Sequence, residues 1–392
     1  MILDDVCLLI ADCPHTTAQD EGVGFPLIRT PNIGKGRFKL DGVHRVSAQI
    51  YQRRNKRATP QDDDIIFARE APAGNAAIIK NGDKVCLGQR TVLIRPNPQK
   101  IDPDFLVYYL LAPEQQHKLL STAHGATVEH VNIPDIHNMN VDNLPNITVQ
   151  CKVAGILSAY DDLIENNQKQ IKLLEEAAQR LYKEWFVDLR FPGYETAKIV
   201  DGVPEGWRKT ELNSLCTVRK DTVVPTGIPT GTTYIGLEHM PRNDICLCNW
   251  GDSSEVNSNK FKYQENDVLF GKIRPYFHKV GFALNSGVAS TDSIILRASD
   301  GLWGLLLMTA SSDAFVDYTY QTCKEGSKMP RADWNQMKVY PVLIADDLTQ
   351  EQFEKNIGTI TQRIKVLAMQ NRLLAEAHDR LLPKLMSGEL EV

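Results

Sequence analysis

The chain has 392 residues, which is enough for two or three domains with hydrophobic cores of their own. Its hydrophobic fraction of 42% and charged fraction of 24% are ordinary for a globular protein, and the absence of any run of 18 apolar residues argues against a membrane span. The formal net charge is −5, whereas a protein that grips DNA by itself through phosphate neutralisation is usually basic.

The N-terminal residues and the cysteines indicate the compartment. Met1-Ile2-Leu3-Asp4-Asp5 lacks the basic and apolar segments of a secretion signal. The eight cysteines are scattered without a CxxC pair, and Cys13-Pro14-His15 is among the nearest approaches to a metal motif. We therefore expect a cytoplasmic protein with reduced thiols and no bound metal.

Residues 1–148 are predicted to form a first globular domain of short strands and turns. Three apolar runs are bounded by Asp, Gly or Pro, as strands usually are: Ile65–Ala68, Asn75–Ile79 and Thr91–Ile94. A helix is expected at Asp104–Leu111, because Asp102-Pro103 favours a helix start and Ala112-Pro113 a helix end.

A long amphipathic helix is predicted within residues 149–190. Apolar residues recur there at alternating steps of four and three, which is the a/d pattern of a coiled coil. The apolar positions are Val153, Leu157, Tyr160, Ile164, Ile171, Leu174, Ala178, Leu181 and Trp185. Asn167 is the one polar residue of this series, and Phe191-Pro192-Gly193 is expected to stop the helix.

The same plan recurs about 200 residues later. Residues 191–347 are predicted to form a second globular domain. In it, Val268–Gly271 corresponds to the strand at 65–68, and Ser293–Leu296 corresponds to the strand at 91–94. The loops that precede the long helices, at 124–127 and 324–327, also correspond. Outside such markers the two domains diverge, so we expect one scaffold with different loops.

Residues 348–392 are predicted to form a second long helix with the same apolar spacing. Pairing the helices antiparallel brings Val153 opposite Leu385, Trp185 opposite Phe353, and Asn167 opposite Asn371. Two buried asparagines that bond to each other penalise every shifted register. The fold class predicted is therefore α/β (α+β), with two mixed domains separated by an antiparallel two-helix coiled coil and related as an internal repeat. The alternative is two helices packed separately on their own domains.

No catalytic set is recognisable. The chain lacks the GxxxxGK[ST] motif of a P-loop and the Asn/Asp-Pro-Pro-aromatic tetrad of adenine methyltransferases. Asn132-Ile133-Pro134-Asp135 is the nearest match, but it has neither the second proline nor the ring. We expect no catalytic residue and no cofactor bound by this chain.

Candidate DNA contacts are basic, amide and aromatic side chains in loops, since these bind phosphates or base edges. In the first domain they are Arg53, Arg54, Lys56 and Arg57, which form the densest basic cluster, and Arg69, Arg90 and His130. In the second domain they are Asn259, Lys260, Lys262, Lys272, Arg274, Tyr276, Lys328 and Arg331. The alternative for each is an ordinary solvated charge.

The C-terminal run Arg380–Leu390 resembles that of the specificity subunits of type I restriction–modification enzymes. Pro204-Glu205-Gly206-Trp207 and Asp267–Arg274 also resemble segments of the recognition domains of this family. The first domain departs from the family pattern, because it lacks a Gly-Trp start and opens with Ile2-Leu3-Asp4-Asp5. The resemblance covers the whole chain.

This resemblance implies a non-catalytic subunit in which each domain recognises one half of a bipartite DNA target. Because the loops differ, the target is expected to be asymmetric. The resemblance also implies that two modification (methyltransferase) subunits dock on the helices, that restriction (nuclease) subunits join through them, and that S-adenosylmethionine, ATP and Mg bind to those partners. Partners that share the phosphate contacts would account for the negative net charge. The alternatives are a scaffold or adaptor with a coiled-coil spacer, and, with less support, an enzyme with an unrecognised site.

Overall fold

The computed structural model describes residues 1–121, 130–323 and 329–392. They form two compact units: a first unit of Met1–Glu165 and Leu373–Val392, and a second unit of Asn166–Arg372. Each long helix therefore contributes residues to both units. Among the described residues, no helix is both long enough and apolar enough to cross a membrane.

The first unit contains seven strands and four helices, followed by the start of a long helix, within its described ranges. The strands are β1 Cys7–Asp12, β2 Phe25–Ile28, β3 Arg45–Val46, β4 Ile65–Ala68, β5 Ala76–Ile78, β6 Cys86–Leu87 and β7 Thr91–Pro96. The helices are α1 Ala48–Arg54, α2 Pro103–Leu111, α3 Pro113–Ser121, α4 Ile133–His137 and the long α5 Ile147–Tyr182. The strands and the helix predicted for this region are thus present.

The main sheet of the first unit has the strand order β1-β7-β4-β5, with antiparallel neighbours throughout. Its central strand β4 is buried on both faces, which explains a continuous apolar run instead of an alternating one. Asp64, just before β4, is 1% exposed in its side chain and receives two bonds of 2.7 Å from the guanidinium of Arg95 on β7. This buried pair holds the two central strands together at one end.

The second unit holds the remaining strands and helices that the structure describes. The strands are β8 Ile199–Val200, β9 Val203–Pro204, β10 Arg208–Glu211, β11 Cys216–Arg219, β12 Thr222–Val223, β13 Thr233–Ile235, β14 Cys246–Leu247, β15 Gly251–Asp252, β16 Lys260–Tyr263, β17 Val268–Gly271, β18 Val280–Ala283, β19 Gly287–Ala289, β20 Ser293–Ala298 and β21 Pro341–Ile344. The helices are α6 Trp303–Ala310, α7 Asp313–Gln321, α8 Trp334–Met337 and the long α9 Asp347–Ser387.

The main sheet of the second unit repeats that of the first. Its order is β11-β20-β17-β18-β14, in which β11, β20, β17 and β18 take the places of β1, β7, β4 and β5. The buried ion pair recurs as well, because Arg297 on β20 donates to both oxygens of Asp267 at 2.8 and 2.7 Å. A second five-stranded sheet, β12-β16-β19-β13-β15, has no five-stranded counterpart among the described residues of the first unit. The internal repeat is therefore a common sheet with different additions.

Within the first unit, the early turns of α5 pack against the last turns of α9. Val153 and Leu157 are buried together with Leu382 and Leu385 in the core that also contains α2. Such contacts between the start of one helix and the end of the other are those of an antiparallel pair.

Within the second unit, the late turns of α5 pack against the early turns of α9. The ring centroids of Trp185 and Phe353 lie 5.7 Å apart, and Ile357 is fully buried beside them. Asn167 Nδ2 donates to Asn371 Oδ1 at 2.9 Å. These are the partners that the antiparallel register predicts.

One detail at the end of α5 differs from the prediction. The α-helix ends at Tyr182 and continues as a π-helical turn, Lys183–Val187, before it reaches Phe191. The segment around Gly202 then forms a β-hairpin of β8 and β9. Trp207 after this hairpin is buried against the rings of Phe186 and Phe191, with centroids 5.2 and 4.8 Å away. Aromatic packing thus ties this segment to the core.

Candidate nucleic-acid interface

The first unit carries a polar cluster at one end of its main sheet. Asp12 is the last residue of β1, Arg69 and Glu70 follow β4, and Arg90 directly precedes β7. Because β4 and β7 are antiparallel neighbours, the end of one lies beside the start of the other. His130 joins them through an isolated bridge to Glu70. Side chains from four segments therefore meet at this end.

Arg69 is the buried centre of the cluster. Its Nε donates to Val131 O at 2.9 Å, its Nη1 to Asp12 Oδ1 at 3.3 Å, and its Nη2 to His130 Nε2 at 2.8 Å. Because a guanidinium only donates, His130 accepts at Nε2 and carries its proton on Nδ1. That Nδ1–H donates to Glu70 Oε1 at 2.7 Å. Each side chain thereby orients the next.

Arg90 is the exposed end of this chain of hydrogen bonds. Its Nη1 lies 2.9 Å from Glu70 Oε2, and its side chain is 54% exposed whereas that of Glu70 is 15% exposed. The carboxylate is thus largely enclosed, and the guanidinium that it holds faces solvent.

The second unit has a similar arrangement of segments at the matching end of its sheet. Lys220 follows β11, Lys272 follows β17, and Asp292 directly precedes β20. Arg331 lies where the chain returns, through an isolated bridge to Ile273. Arg331 Nη1 lies 2.9 Å from Asp292 Oδ1, and its side chain is 58% exposed.

Main-chain contacts establish which positions of the two units correspond. Lys272 N donates to Asp292 O at 2.7 Å, as Arg69 N donates to Arg90 O at 3.0 Å. The strand registers and the two isolated bridges identify further equivalent positions in the two units. The equivalent pairs are Asp12 and Lys220, Arg69 and Lys272, Arg90 and Asp292, and His130 and Arg331. The backbone positions match, but the side chains differ in charge in every pair except Arg69 and Lys272.

A groove of about 570 Å³ lies beside this cluster in the second unit. Cationic, aromatic and amide side chains line it, among them Lys220, Lys272, Arg331, Trp334, Asn335 and Gln336. Cationic groups bind phosphates, amides bind base edges, and a ring offers a surface for stacking. The lining therefore suits a nucleic acid better than an apolar small molecule.

Lys272 shows that positive charge is concentrated in this groove. Burial lowers the pKa of its ammonium, and the nearby charges of Lys220 and Arg331 lower that pKa further, against the opposing effect of Asp292. Its Nζ donates to Thr291 O at 2.6 Å. An anion that enters the groove would relieve this repulsion, so the site favours an anionic ligand.

The basic cluster at 53–57 lies at the end of α1 and just beyond it. Arg53, Lys56 and Arg57 are exposed. Arg54 is buried instead, and its guanidinium donates to the carbonyl oxygens of Leu87, Thr16 and Pro14. Arg54 therefore stabilises the fold and presents little of its charge to a ligand.

The other predicted residues of the second unit lie in several places. Arg274 is half-buried, has a φ of +52°, and places its guanidinium carbon 5.7 Å from the centroid of Phe277. Tyr276 is 47% exposed and contacts the ring of Tyr320 edge-on.

The residues around β16 divide by exposure. Asn259 and Lys262 are exposed, whereas Lys260 is buried and its Nζ donates to the carbonyl and hydroxyl oxygens of Ser258. Lys328 lies outside the described residues, as do both of the loops predicted at 124–127 and 324–327.

Sequence reasoning missed the acidic members of both clusters and most of the groove lining. Glu70 and Asp292 were overlooked because acidic side chains repel phosphate and were not considered as part of a DNA interface. Lys220, Trp334, Asn335 and Gln336 were also missed. A usable signal existed, since Asp292 directly precedes one predicted strand and Glu70 stands two residues after another, next to Arg69.

Asp12, Cys13 and His15 bring potential metal ligands within 4.8 Å of one another. Asp12 already pairs with Arg69 at 3.3 Å and with His15 Nε2 at 2.9 Å. Burial raises the pKa of the Cys13 thiol, which opposes formation of the thiolate that binds metals. The ion pairs account for this arrangement, and we propose no metal site here.

Known proteins share this sequence pattern and this fold. Residues 2–176 match the family model of the type I restriction modification DNA specificity domain. The chain is 23% identical over 352 residues to the specificity subunit of the type I restriction enzyme MjaIX of Methanocaldococcus jannaschii, a match that covers 84% of this chain and 78% of that protein. It is 21% identical over 346 residues to the EcoDI specificity subunit of Escherichia coli, with 81% and 76% covered.

The crystal structure of a type I restriction-modification system S subunit from M. genitalium has a similar fold. The TM-score is 0.58 at 14% sequence identity, over 98% of this chain and 95% of that one. At this identity the likeness concerns the fold alone.

Residues 2–176 thus resemble the type I restriction modification DNA specificity domain, and the specificity subunits of two type I restriction enzymes resemble the chain over most of its length. The resemblance of the chain to type I restriction–modification specificity subunits, predicted from its motifs, is confirmed by the family match and the relatives.

Proposed function

We propose that this chain is the sequence-specific DNA-binding specificity subunit of a type I restriction–modification complex, and that each unit recognises one half of a bipartite target. The observation that carries the proposal is the pair of equivalent polar clusters at matched sheet ends, with the same backbone positions and different side chains. A scaffold used twice with different contact residues is suited to two different half-sites. The target is therefore asymmetric.

The cationic side chains that are accessible to a ligand are the candidates for phosphate contacts. In the first unit these are Arg53, Lys56 and Arg57, and in the second they are Lys220 and Lys262, together with the half-buried Lys272 of the groove. Arg54 and Lys260 are left out, because both are buried and bonded to neighbouring oxygens. Arg69 is buried as well and acts by orienting its neighbours.

The long helices supply the docking surface for two modification subunits. Leu173 and Leu373 are identical at an offset of 200 residues, and they are 64% and 63% exposed. One belongs to each unit, so each unit offers an equivalent apolar contact to a copy of the same partner. Exposed leucines in corresponding positions on two amphipathic helices favour helix-mediated association.

Catalysis belongs to the partners in this proposal. The modification subunits would bind S-adenosylmethionine and methylate the target, and the restriction subunits, joined through them, would use ATP and Mg to cleave. This chain determines where both activities act. Partner subunits that share the phosphate contacts offset the net charge of −5.

The test uses the chain assembled with its modification subunits. Methylation mapping of host DNA with and without this gene is expected to reveal one bipartite, non-palindromic motif that depends on the gene. Binding of the assembled complex to a duplex with that motif should weaken steeply as salt rises from about 50 to 200 mM. An adaptor without DNA contacts predicts salt-independent behaviour and an unchanged methylome, and that result would refute the proposal.

A further inference from the structure

We propose that Arg90 and Arg331 are base-reading arginines, each of which selects a guanine in its own half-site. This inference rests on the proposed function and names specificity-determining residues within it. The observation behind it is that each unit presents, at the same end of the same sheet, one largely exposed guanidinium held by a less exposed carboxylate.

The carboxylate of Glu70, which braces the guanidinium of Arg90, is itself held by other side chains. Glu70 Oε2 lies 2.9 Å from Arg90 Nη1, and the second oxygen of Glu70 accepts from His130 Nδ1 at 2.7 Å. His130 is held in turn by the buried Arg69. The carboxylate therefore has little freedom to move, and it orients the guanidinium of Arg90, which is exposed enough to reach a ligand.

The carboxylate that braces Arg331 comes from a different position in the fold than the carboxylate that braces Arg90. Asp292 Oδ1 lies 2.9 Å from Arg331 Nη1, and the main-chain N–H of Asp292 donates to Ser290 Oγ at 3.2 Å. In the first unit the arginine precedes β7 and the carboxylate follows β4. In the second unit the carboxylate precedes β20 and the arginine comes from the segment before α8. The ion pair thus recurs although the segments that supply its two members differ.

The carboxylate decides between a base and a phosphate as the ligand. An adjacent negative charge partly cancels the attraction of a guanidinium for phosphate, so a brace weakens phosphate binding. The same brace fixes the plane of the guanidinium, which favours the bidentate contact with O6 and N7 of guanine. Exposed cations such as Lys56 and Arg57 suit phosphate contacts, for which such orientation is not needed.

Stability gives no sufficient reason for these pairs. Exposed ion pairs contribute roughly 0–1 kcal/mol to folding. The Arg90 and Arg331 side chains are 54% and 58% exposed, so their substitution should leave the folded chain intact. A loss of function in such variants then reports on the ligand.

The experiment selects preferred sites from a randomised duplex library, using the chain assembled with its modification subunits. Arg90→Lys and Arg90→Gln are expected to reduce the preference for one guanine by about 5- to 150-fold, in one half-site only. Arg331→Lys and Arg331→Gln should do the same at one position of the other half-site. The lysine variants keep the charge but lose the bidentate fork, so they separate base recognition from phosphate binding.

Matched controls make the outcome decisive. Arg57→Ala should weaken binding to all sequences alike, and Glu70→Gln should relax the same guanine position as Arg90→Gln to a smaller degree. Circular dichroism and thermal unfolding should match the wild type for all variants. Unchanged base preferences in the Arg90 and Arg331 variants, or full retention of preference in the lysine variants, would overturn the inference while leaving the proposed function intact. A wild-type complex without any sequence preference would overturn both.

Discussion

Glu175 is a buried carboxyl group that faces main-chain donors inside the second unit. Its Oε1 accepts from the N–H groups of Ile245 and Cys246 at 3.0 and 3.2 Å. Burial, with a smaller contribution from the charge of Asp244, raises the pKa of Glu175 to about 8. Glu175 thus anchors the start of β14 to helix α5, and its burial favours the neutral, protonated carboxyl group.

This raised pKa predicts a pH-dependent stability. Between the ordinary value of 4.5 and the folded value of about 8, the folded chain retains a proton that the unfolded chain releases. The free energy of unfolding therefore falls as pH rises through this window, by at most about 1.4 kcal/mol per pH unit. Glu175→Gln keeps the acceptor oxygen and removes the titration, so this variant should lose less thermal stability than the wild type between pH 6 and 9.

The matched control is Glu176→Gln, which removes an exposed carboxyl from the same helix. Calorimetry of the three proteins at each pH measures the effect. Parallel pH profiles for the wild type and Glu175→Gln would show that the buried carboxyl does not titrate in this range.

At the scale of elements, the pair of long helices contains a polar contact between two asparagines within an apolar seam. Asn167 is buried and its Nδ2 donates to Asn371 Oδ1 at 2.9 Å, between layers filled by aliphatic and aromatic side chains. A polar pair at such a position lowers stability relative to leucine and disfavours other registers, in which each amide would lose its partner.

Substitution of one or both asparagines should separate these two effects. Asn371→Leu leaves Asn167 buried without its partner and is expected to destabilise the second unit by about 1–3 kcal/mol. The double variant Asn167→Leu, Asn371→Leu should recover that loss, because no amide remains unpaired. Thermal unfolding of both single variants and the double variant gives the coupling energy. Additive losses in the double variant would contradict a role for the pair.

The repeated elements explain why much of the sheet was predictable. Four apolar runs, two in each half, became β4, β7, β17 and β20, and an aspartate directly precedes three of them. The recurring pairs Asp64–Arg95 and Asp267–Arg297 were not predicted, although all four residues stand beside or within those runs. The two residues of each pair are about 30 residues apart in sequence, and only the strand register brings them together.

At the scale of the whole molecule, the two units share a scaffold and differ in the charges at its equivalent end. A substitution in one unit should therefore alter one half of the target. Arg274, half-buried beside Phe277 in the second unit, is suited to this test. Arg274→Ala is expected to weaken binding of the assembled complex by roughly 1–3 kcal/mol, through the second half-site alone.

The measurement compares duplexes that carry both half-sites with duplexes in which either half is scrambled. Scrambling the second half should abolish the difference between the wild type and Arg274→Ala, whereas scrambling the first half should preserve it. Arg90→Gln, in the first unit, serves as the reciprocal control. Equal losses from both half-sites, or no loss at all, would count against separate recognition by the two units.

The sequence by itself determined the repeat, the long helices, their antiparallel register and the resemblance to specificity subunits, because these depend on local patterns: apolar spacing, the positions of two asparagines, and short motifs such as Arg380–Leu390. The composition of the interface was decided by the tertiary structure. Arg54 stands in the densest basic run and yet is buried, whereas Glu70 and Asp292, which the sequence analysis did not single out, hold Arg90 and Arg331. The physical reason is that burial and hydrogen-bond partners are set by segments distant in sequence, so the same residue type becomes a structural bond or a ligand contact according to what the folded chain places beside it.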